Sequence, residues 1–361
     1  MGGTNDIIVR EILDREEDHQ LWQEYVRAHP YATAYHSIAW RSIFQKSFGY
    51  RSWYLFARKG LEGSVVGCLP IFFISSPFSR RLVSVPFRDR GGILWDSDEA
   101  FTLLMEKAKG IAKQTNASFM EVKSLRAYPP DLIERNGLQE RFYWIHSCVD
   151  LRGMNMESFL KKIGPKTRNM LRQAEKAELT FIDATGNYGG IRDWYMVHVM
   201  TQKNLGLPPF PMNFFHTMLG ELSKTEEIRI FQVRKGDTCL AATIILLHKK
   251  TGIYGYSASD PAGQRFRAND YMIFSTIKWL SEKGFEEFDM GSDSPSQESL
   301  LFFKRKWLAR QNTIPVYTCG NIKDWISDSS RSHYELIRKC FRYLPADLLR
   351  LIGGFATKYF G

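Results

Sequence analysis

The stretch that decides the fold is Arg229-Ile-Phe-Gln-Val-Arg-Lys-Gly-Asp-Thr-Cys-Leu-Ala-Ala-Thr-Ile-Ile-Leu-Leu-His248. A strand-length run, Arg229 to Arg234, reaches a Lys235-Gly236-Asp237 turn and a longer apolar run, Leu240 to His248, which is the pattern of a β-hairpin. A third run follows at Gly252 to Ser257, then a loop, a helix from Asp270 to Lys283 and a strand from Glu286 to Met290. The same order stands earlier in the chain. Trp53 to Arg58 leads through a Gly-containing turn to Val65 to Ile74, then to Arg81 to Val85 and a Gly91-Gly92 loop. An amphipathic stretch, Glu99 to Thr115, and a closing strand, Ser118 to Lys123, complete it. Each copy reads strand, hairpin, strand, loop, helix, strand. The expected fold class is therefore α/β (α+β), with two tandem domains, each a mixed sheet flanked by helices.

That element order is the one found at the core of acetyltransferase-type (GNAT-like) N-acyltransferases, which makes acyl transfer the leading functional expectation. The length agrees: 361 residues with 44% hydrophobic content suffice for two cores, since single domains run to ~100–200 residues. The expected segments are a first domain at 1–150, a second at 151–325 carrying a helical insertion at 157–203, and a basic amphipathic tail at 326–361. In the tail, Leu336, Ile337, Phe341, Leu344, Leu348, Leu349, Leu351 and Ile352 alternate with Arg338, Lys339, Arg342, Arg350 and Lys358. Such a segment can lie on an anionic membrane surface or pack its apolar face onto the body.

The chain holds 49 Lys plus Arg against 39 Asp plus Glu, a formal +10. That excess draws anionic partners such as RNA, nucleotides or acidic lipid, or it serves only solubility, so placement has to decide. Five Cys, odd in number and without a C-x-x-C spacing, predict a reducing compartment with neither a disulfide framework nor a zinc site. Met1 to Arg10 lacks the apolar core of a signal peptide, and nowhere are there ~18 uninterrupted apolar residues. The reading is a cytoplasmic protein, with peripheral contact at the inner membrane face left open. H-x-x-x-H pairs, a G-x-S-x-G elbow and a P-loop are missing, which demotes metal hydrolysis, serine hydrolysis and P-loop chemistry. No metal and no cofactor are expected.

The most basic helical region runs from Glu157 to Glu178. Gly164-Pro165 is expected to split it, because Pro is accommodated in the first turn of a helix but not inside one. On the second piece Lys166, Asn169, Arg172 and Lys176 fall near one face. They suit phosphates, or else form a solvated face paired with Glu175 and Glu178. Beyond it, Asn204 to Asn213 holds three prolines, and its Leu205, Leu207, Phe210 and Met212 either line a groove or cap the core. Asp289, between Phe288 and Met290 on an otherwise apolar strand, must be hydrogen-bonded or functional, since an unpaired buried charge costs several kcal/mol. It holds the Gly291 turn or a basic partner, or it is catalytic.

Pro165-Lys166-x-Arg168-Asn169 with Ala174-Glu175-Lys176, then Gly284-Phe285-x-x-Phe288-Asp289-Met290-Gly291-x-x-Ser294, then Phe303-Lys304-x-x-Trp307 resemble the FemAB superfamily. The proteins most alike are those associated with exopolysaccharide and exosortase systems. The resemblance runs from Tyr35 to Tyr317 and takes in Ser84-Val85-Pro86-Phe87. It implies transfer of an aminoacyl group from aminoacyl-tRNA to an amino group of an anionic peptidoglycan-precursor or saccharide-linked acceptor. It places Phe303 and Lys304 at the reacting centre, with Lys304 stabilising the oxyanion and Asp289 available to take a proton. Lys166, Arg168, Asn169, Arg172 and Lys176 would hold a phosphate-rich substrate, and Arg88, Asp89 and Arg90 would orient the acceptor. Lys304 could equally be a surface cation beside Arg305 and Lys306. Coenzyme A binding is disfavoured, because Phe266, Arg267 and Ala268 stand where its pyrophosphate turn needs a glycine. The alternatives are a CoA- or carrier-protein-dependent N-acyltransferase acting on an amino sugar, and a non-catalytic module binding anionic saccharide or RNA.

Overall fold

A computed structural model describes residues 6–76, 79–321 and 332–359. The chain divides into two compact units. The first takes in residues up to Trp144 and again from Thr313 and from Lys358, and the second holds Ile145–Asn312 and the last two helices.

In the first unit the elements are β1 (Ile7–Glu11), α1 (Glu16–Ala28), α2 (Ala39–Phe48), β2 (Arg51–Lys59), β3 (Val65–Ser75), β4 (Arg80–Val83), β5 (Leu94–Trp95), α3 (Asp98–Thr115), β6 (Phe119–Lys123), α4 (Pro130–Arg135) and β7 (Gln139–Asp150). Those of the second are α5 (Met156–Lys162), α6 (Pro165–Lys176), β8 (Thr180–Asp183), α7 (Tyr188–Leu205), α8 (Met212–Leu222), β9 (Ile228–Lys235), β10 (Thr238–His248), β11 (Thr251–Ser259), α9 (Ala268–Glu282), β12 (Glu287–Asp293) and α10 (Glu298–Arg305). After them come β13 (Arg310–Gly320), α11 (Ser332–Tyr343) and α12 (Ala346–Thr357).

Both units use one pairing scheme. In the first, β1, β2, β3 and β4 pair antiparallel in turn, and α3 then carries the chain over to β6, which pairs parallel with β4. In the second, β8, β9, β10 and β11 pair antiparallel in turn, and α9 carries the chain to β12, parallel with β11. The expected tandem of mixed sheets is what forms. One feature is invisible to element order: each sheet is completed by a strand from elsewhere in the sequence. Residues 145–150 of β7, at the end of the first copy, pair with β12, while residues 316–320 of β13, after the second, pair with β6.

Local chemistry sets the element ends. Ser97 accepts the Ala100 N–H at the start of α3, Asp98 and Glu99 face the positive end of the helix dipole, and Asn116 ends it in the left-handed region. Gly164-Pro165 divides α5 from α6 as expected. Burial supplies most of the stability. Phe101, Leu104, Met105 and Ala108 of α3 pack on β2 and β3, and Met272, Ile273, Ile277 and Leu280 of α9 pack on β9 and β10. Of the five cysteines, Cys68 is buried and all are free thiols. Among the described residues no helix is long and apolar enough to cross a membrane, and no group of His, Cys, Asp or Glu could hold a metal ion.

The tail expected at 326–361 begins and ends outside the described residues; between 332 and 359 it forms α11 and α12, both packed against α7. The junction needs Gly206, which ends α7 at φ +70°, and a Cβ there would lie 2.5 Å from the Arg338 carbonyl oxygen. Gly206→Ala is expected to cost about 1–3 kcal/mol, read from urea unfolding, because left-handed strain and a backbone clash coincide.

In the three-proline loop Leu207, Phe210 and Met212 are half-buried and Leu205 is exposed. Phe210 lies among Phe214, Phe215 and Tyr256, and Trp194 stacks on His198 with ring centroids 4.9 Å apart. His198 Nε2 accepts the Phe210 N–H at 3.4 Å, and burial pulls the His198 pKa down to about 3. Unfolding returns the ring to an ordinary pKa near ~6.5, so below that pH the unfolded chain binds the proton more strongly. Stability is expected to fall on acidification from about pH 6.5 towards the folded pKa, by up to ~1.4 kcal/mol per pH unit from this group. His198→Asn should flatten that slope in urea unfolding curves recorded between neutral and acidic pH.

Candidate functional site

β12 starts as an apolar strand and ends in a polar bulge. Asp289 pairs with Cys148 of β7, but Ser292 pairs with His146, so one extra residue sits on the β12 side. Gly291 absorbs it at φ +77°, a conformation glycine adopts without a Cβ penalty. The slip has a chemical result. Asp293 pairs with Ile145, next to His146, so the pleat sets it on the side opposite Asp289, and each carboxylate has its own basic partner.

Asp289 is buried. Its Oδ1 accepts the Gly291 N–H at 2.8 Å and lies 2.9 Å from His146 Nε2. Both structural roles read from the sequence, holder of the Gly291 turn and partner of a basic group, are filled at once. On the other side, Lys304 comes from the last turn of α10, and its Nζ lies 2.7 Å from Asp293 Oδ2 and donates to the Gly291 carbonyl oxygen at 3.1 Å. Lys304 is 8% exposed, so it is a buried, neutralised ammonium and not a surface cation like Arg305. An ammonium has three N–H donors. One is donated to the Gly291 carbonyl, the contact with Asp293 is an ion pair without hydrogen-bond geometry, and among the described residues the ammonium has no further protein acceptor.

Phe303 packs on the edge of the second core. The Lys306 ammonium lies 4.3 Å from its ring centroid and 5.5 Å from that of Trp307, and it pairs with Asp270 in the first turn of α9. At that helix start Arg267 itself is left-handed at φ +60° and donates through Nε to Gln173 of α6 at 3.0 Å. The turn is thus made by side-chain-bearing residues, with a carboxylate at the end where a phosphate would be held.

The basic helix divides. Arg168 turns back onto α5, where Nη1 donates to the carbonyls of Leu160, Lys161 and Ile163, closing groups that the helix end leaves open. Lys166, Asn169, Arg172 and Lys176 are exposed, while Thr167, Leu171 and Ala174 form the buried side. Arg88, Asp89 and Arg90 belong to the first unit. Arg88 lies over Tyr35 and Trp40 at 5.5 and 5.7 Å, with burial drawing its pKa down, and Arg90 is fully buried with Nε 3.2 Å from Asp89 Oδ1. The adjacent Gly91-Gly92 is there for close packing, since a Cβ would meet Val85 Cγ2 at 2.4 Å or the Lys123 carbonyl oxygen at 2.5 Å.

The structure therefore sets Asp289 on one side of the end of β12 and Lys304, with Phe303 next to it on α10, on the other, and leaves Lys166, Asn169, Arg172 and Lys176 of α6 exposed. His146, Asp293 and the Asp270–Lys306 pair were not read from the sequence. Asp293 stood in the polar turn after Met290, and a strand carried through Gly291 to Asp293 would have drawn attention to it; nothing local marks His146.

Residues 161–299 match an acetyltransferase (GNAT) domain. Among solved structures, FemX superposes with a TM-score of 0.68 at 15% identity, over 92% of this chain and 100% of FemX. The C-terminal domain (DUF2156) of a putative lysylphosphatidylglycerol synthetase from Agrobacterium fabrum follows with a TM-score of 0.55 at 14% identity, over 84% of this chain and 91% of that one. A tandem GNAT protein from the clavulanic acid biosynthesis pathway gives 0.53 at 9% identity, over 88% and 100%. No curated protein matches the sequence. This chain thus has the tandem acetyltransferase-type fold that FemX has, and its second unit carries the segment matching a GNAT domain.

Proposed function

We propose that the protein is an amide-forming aminoacyltransferase that takes its acyl group from aminoacyl-tRNA and delivers it to an amino group on an anionic, peptidoglycan-precursor-like or saccharide-linked acceptor. The observation that carries this reading is the buried Lys304 ammonium, ion-paired with Asp293 and hydrogen-bonded to the Gly291 carbonyl, with N–H donors still to give. The name of one protein of the same fold, a putative lysylphosphatidylglycerol synthetase, agrees with aminoacyl transfer. The side-chain-bearing turn at Arg267 and the Asp270 carboxylate in the first turn of α9 favour a donor other than coenzyme A.

The acceptor amine attacks the ester carbonyl carbon, a C–N bond forms, and the carbonyl oxygen becomes an oxyanion. Lys304 donates a remaining N–H to that oxygen. The group is already desolvated and fixed, so little reorganisation is needed as charge develops. The proton on the new ammonium passes to a carboxylate, and Asp293, 2.7 Å from Lys304, is the nearest to the developing charge. When the oxyanion collapses, the bond to the donor's ribose oxygen breaks and that oxygen takes the proton. Asp289 keeps its hydrogen bonds throughout and holds the Gly291 bulge that aims the carbonyl at Lys304. Arg172 and Lys176 grip phosphates of the tRNA.

Acceptor-dependent deacylation of a bulk aminoacyl-tRNA pool, with a nucleotide-linked peptidoglycan precursor as acceptor, is the direct test. Thiol release from acetyl-CoA with no tRNA deacylation would replace this reading by the CoA-dependent one. Lys304→Ala is expected to lower kcat by about 10²-fold or more with little change in KM, because the lost interaction belongs to the transition state. Circular dichroism and the thermal midpoint separate that effect from misfolding, since the change leaves Asp293 unpaired.

The α6 cations act on affinity. Arg172→Ala combined with Lys176→Ala is expected to weaken tRNA binding and to make the slope of log Kd against log salt shallower by roughly one to two units. Filter binding over a salt series reads it, and identical slopes for the two proteins would take α6 out of the site.

A further inference from the structure

The last helix carries two apolar faces. Leu349, Gly353 and Thr357, spaced i, i+4 and i+8, form the one turned to the protein. Leu349 is fully buried, a Cβ on Gly353 would come 2.6 Å from the Pro209 carbonyl oxygen, and Thr357 Oγ1 donates to that oxygen at 3.1 Å. At 100° per residue, Leu348, Leu351, Ile352 and Phe355 make a second stripe on roughly the opposite side. These four are 42, 72, 37 and 73% exposed. Isolated exposed hydrophobes are ordinary, but four in one stripe make a patch.

The charge in this part of the chain is mostly basic, with Asp347 paired to Arg350 at 3.5 Å. Arg338, Lys339 and Arg342 are exposed at the end of α11, followed by the exposed Tyr343, and Arg350 flanks the stripe on α12. From Arg338 to Thr357 the sole acid is Asp347. A continuous line of Leu, Ile and Phe without polar atoms, bordered by an aromatic ring and cations, fits the boundary between acyl chains and anionic headgroups.

We propose that α12 and the end of α11 form an interfacial helix pair that seats the second unit on an anionic lipid bilayer. Leu351 and Phe355 enter the acyl boundary, Leu348 and Ile352 flank them, and Arg338, Lys339 and Arg342 lie at headgroup phosphates. A protein groove would have to supply both an apolar floor and an acidic rim, whereas an anionic bilayer offers both along the whole helix. The proposal is independent of the identity of the transferred group.

The test is co-sedimentation of the full-length protein with vesicles of phosphatidylcholine containing phosphatidylglycerol, set against phosphatidylcholine alone. Wild type is expected to bind the anionic vesicles and to lose binding as salt is raised. Leu351→Glu with Phe355→Glu should weaken binding by about tenfold or more with an unchanged thermal midpoint, since both side chains are exposed. Arg338→Gln, Lys339→Gln and Arg342→Gln together should remove the salt-dependent part. Equal binding by wild type and the double variant overturns the proposal, as does failure of wild type to bind. So does a wild-type dimer in light scattering that the double variant converts to monomer without any vesicle binding, which would assign the stripe to a second copy of the chain.

Discussion

An ammonium taken out of water must be given oxygens in return, and the candidate site rests on how this chain provides them for Lys304. Desolvating a charged group costs several kcal/mol unless a counter-charge and hydrogen bonds compensate. Asp293 supplies the first and the Gly291 carbonyl the second. Both come from one strand because β12 carries an extra residue at Gly291. A regular strand would have put Asp293 on the side of Asp289. The bulge separates the two carboxylates, leaving Asp289 to His146 and Asp293 to Lys304.

That strand owes its position to the pairing scheme. The α9 crossover delivers β12 parallel to β11, and β7 closes its other edge with residues from the end of the first copy. His146 therefore reaches the second unit on a strand that precedes that unit's own helices in sequence. In the same way β13 returns to β6 after the second copy is complete. Each unit's sheet takes in a strand that lies outside its own sequence copy. This is the physical reason that a linear boundary at 150/151 does not coincide with either unit.

Cations play several different parts here, and their burial sorts them. Arg88 and Arg90 lie against aromatic rings in the first unit, where desolvation and ring contact make them part of the packing. Arg168 closes the carbonyl end of α5. Lys306 neutralises Asp270 at the start of α9. Arg172 and Lys176 on α6 and the cations at the end of α11 are instead exposed to solvent.

The hairpin at Lys235-Gly236-Asp237, the doubled order of elements and the Gly164-Pro165 break were all legible in the sequence. Each depends on local rules of turn chemistry, periodicity or motif spacing, which act over a few residues. What only the tertiary structure decided is non-local. Whether Lys304 was a surface cation or a buried one depended on where α10 docks on β12. His146 became Asp289's partner only through strand register, since 143 positions separate them in the chain. Arg168, read as a phosphate ligand, is a cap because a neighbouring helix end lies within its reach. A side chain's reach and counter-charge are set by what folds against it, and no property of a single residue records that.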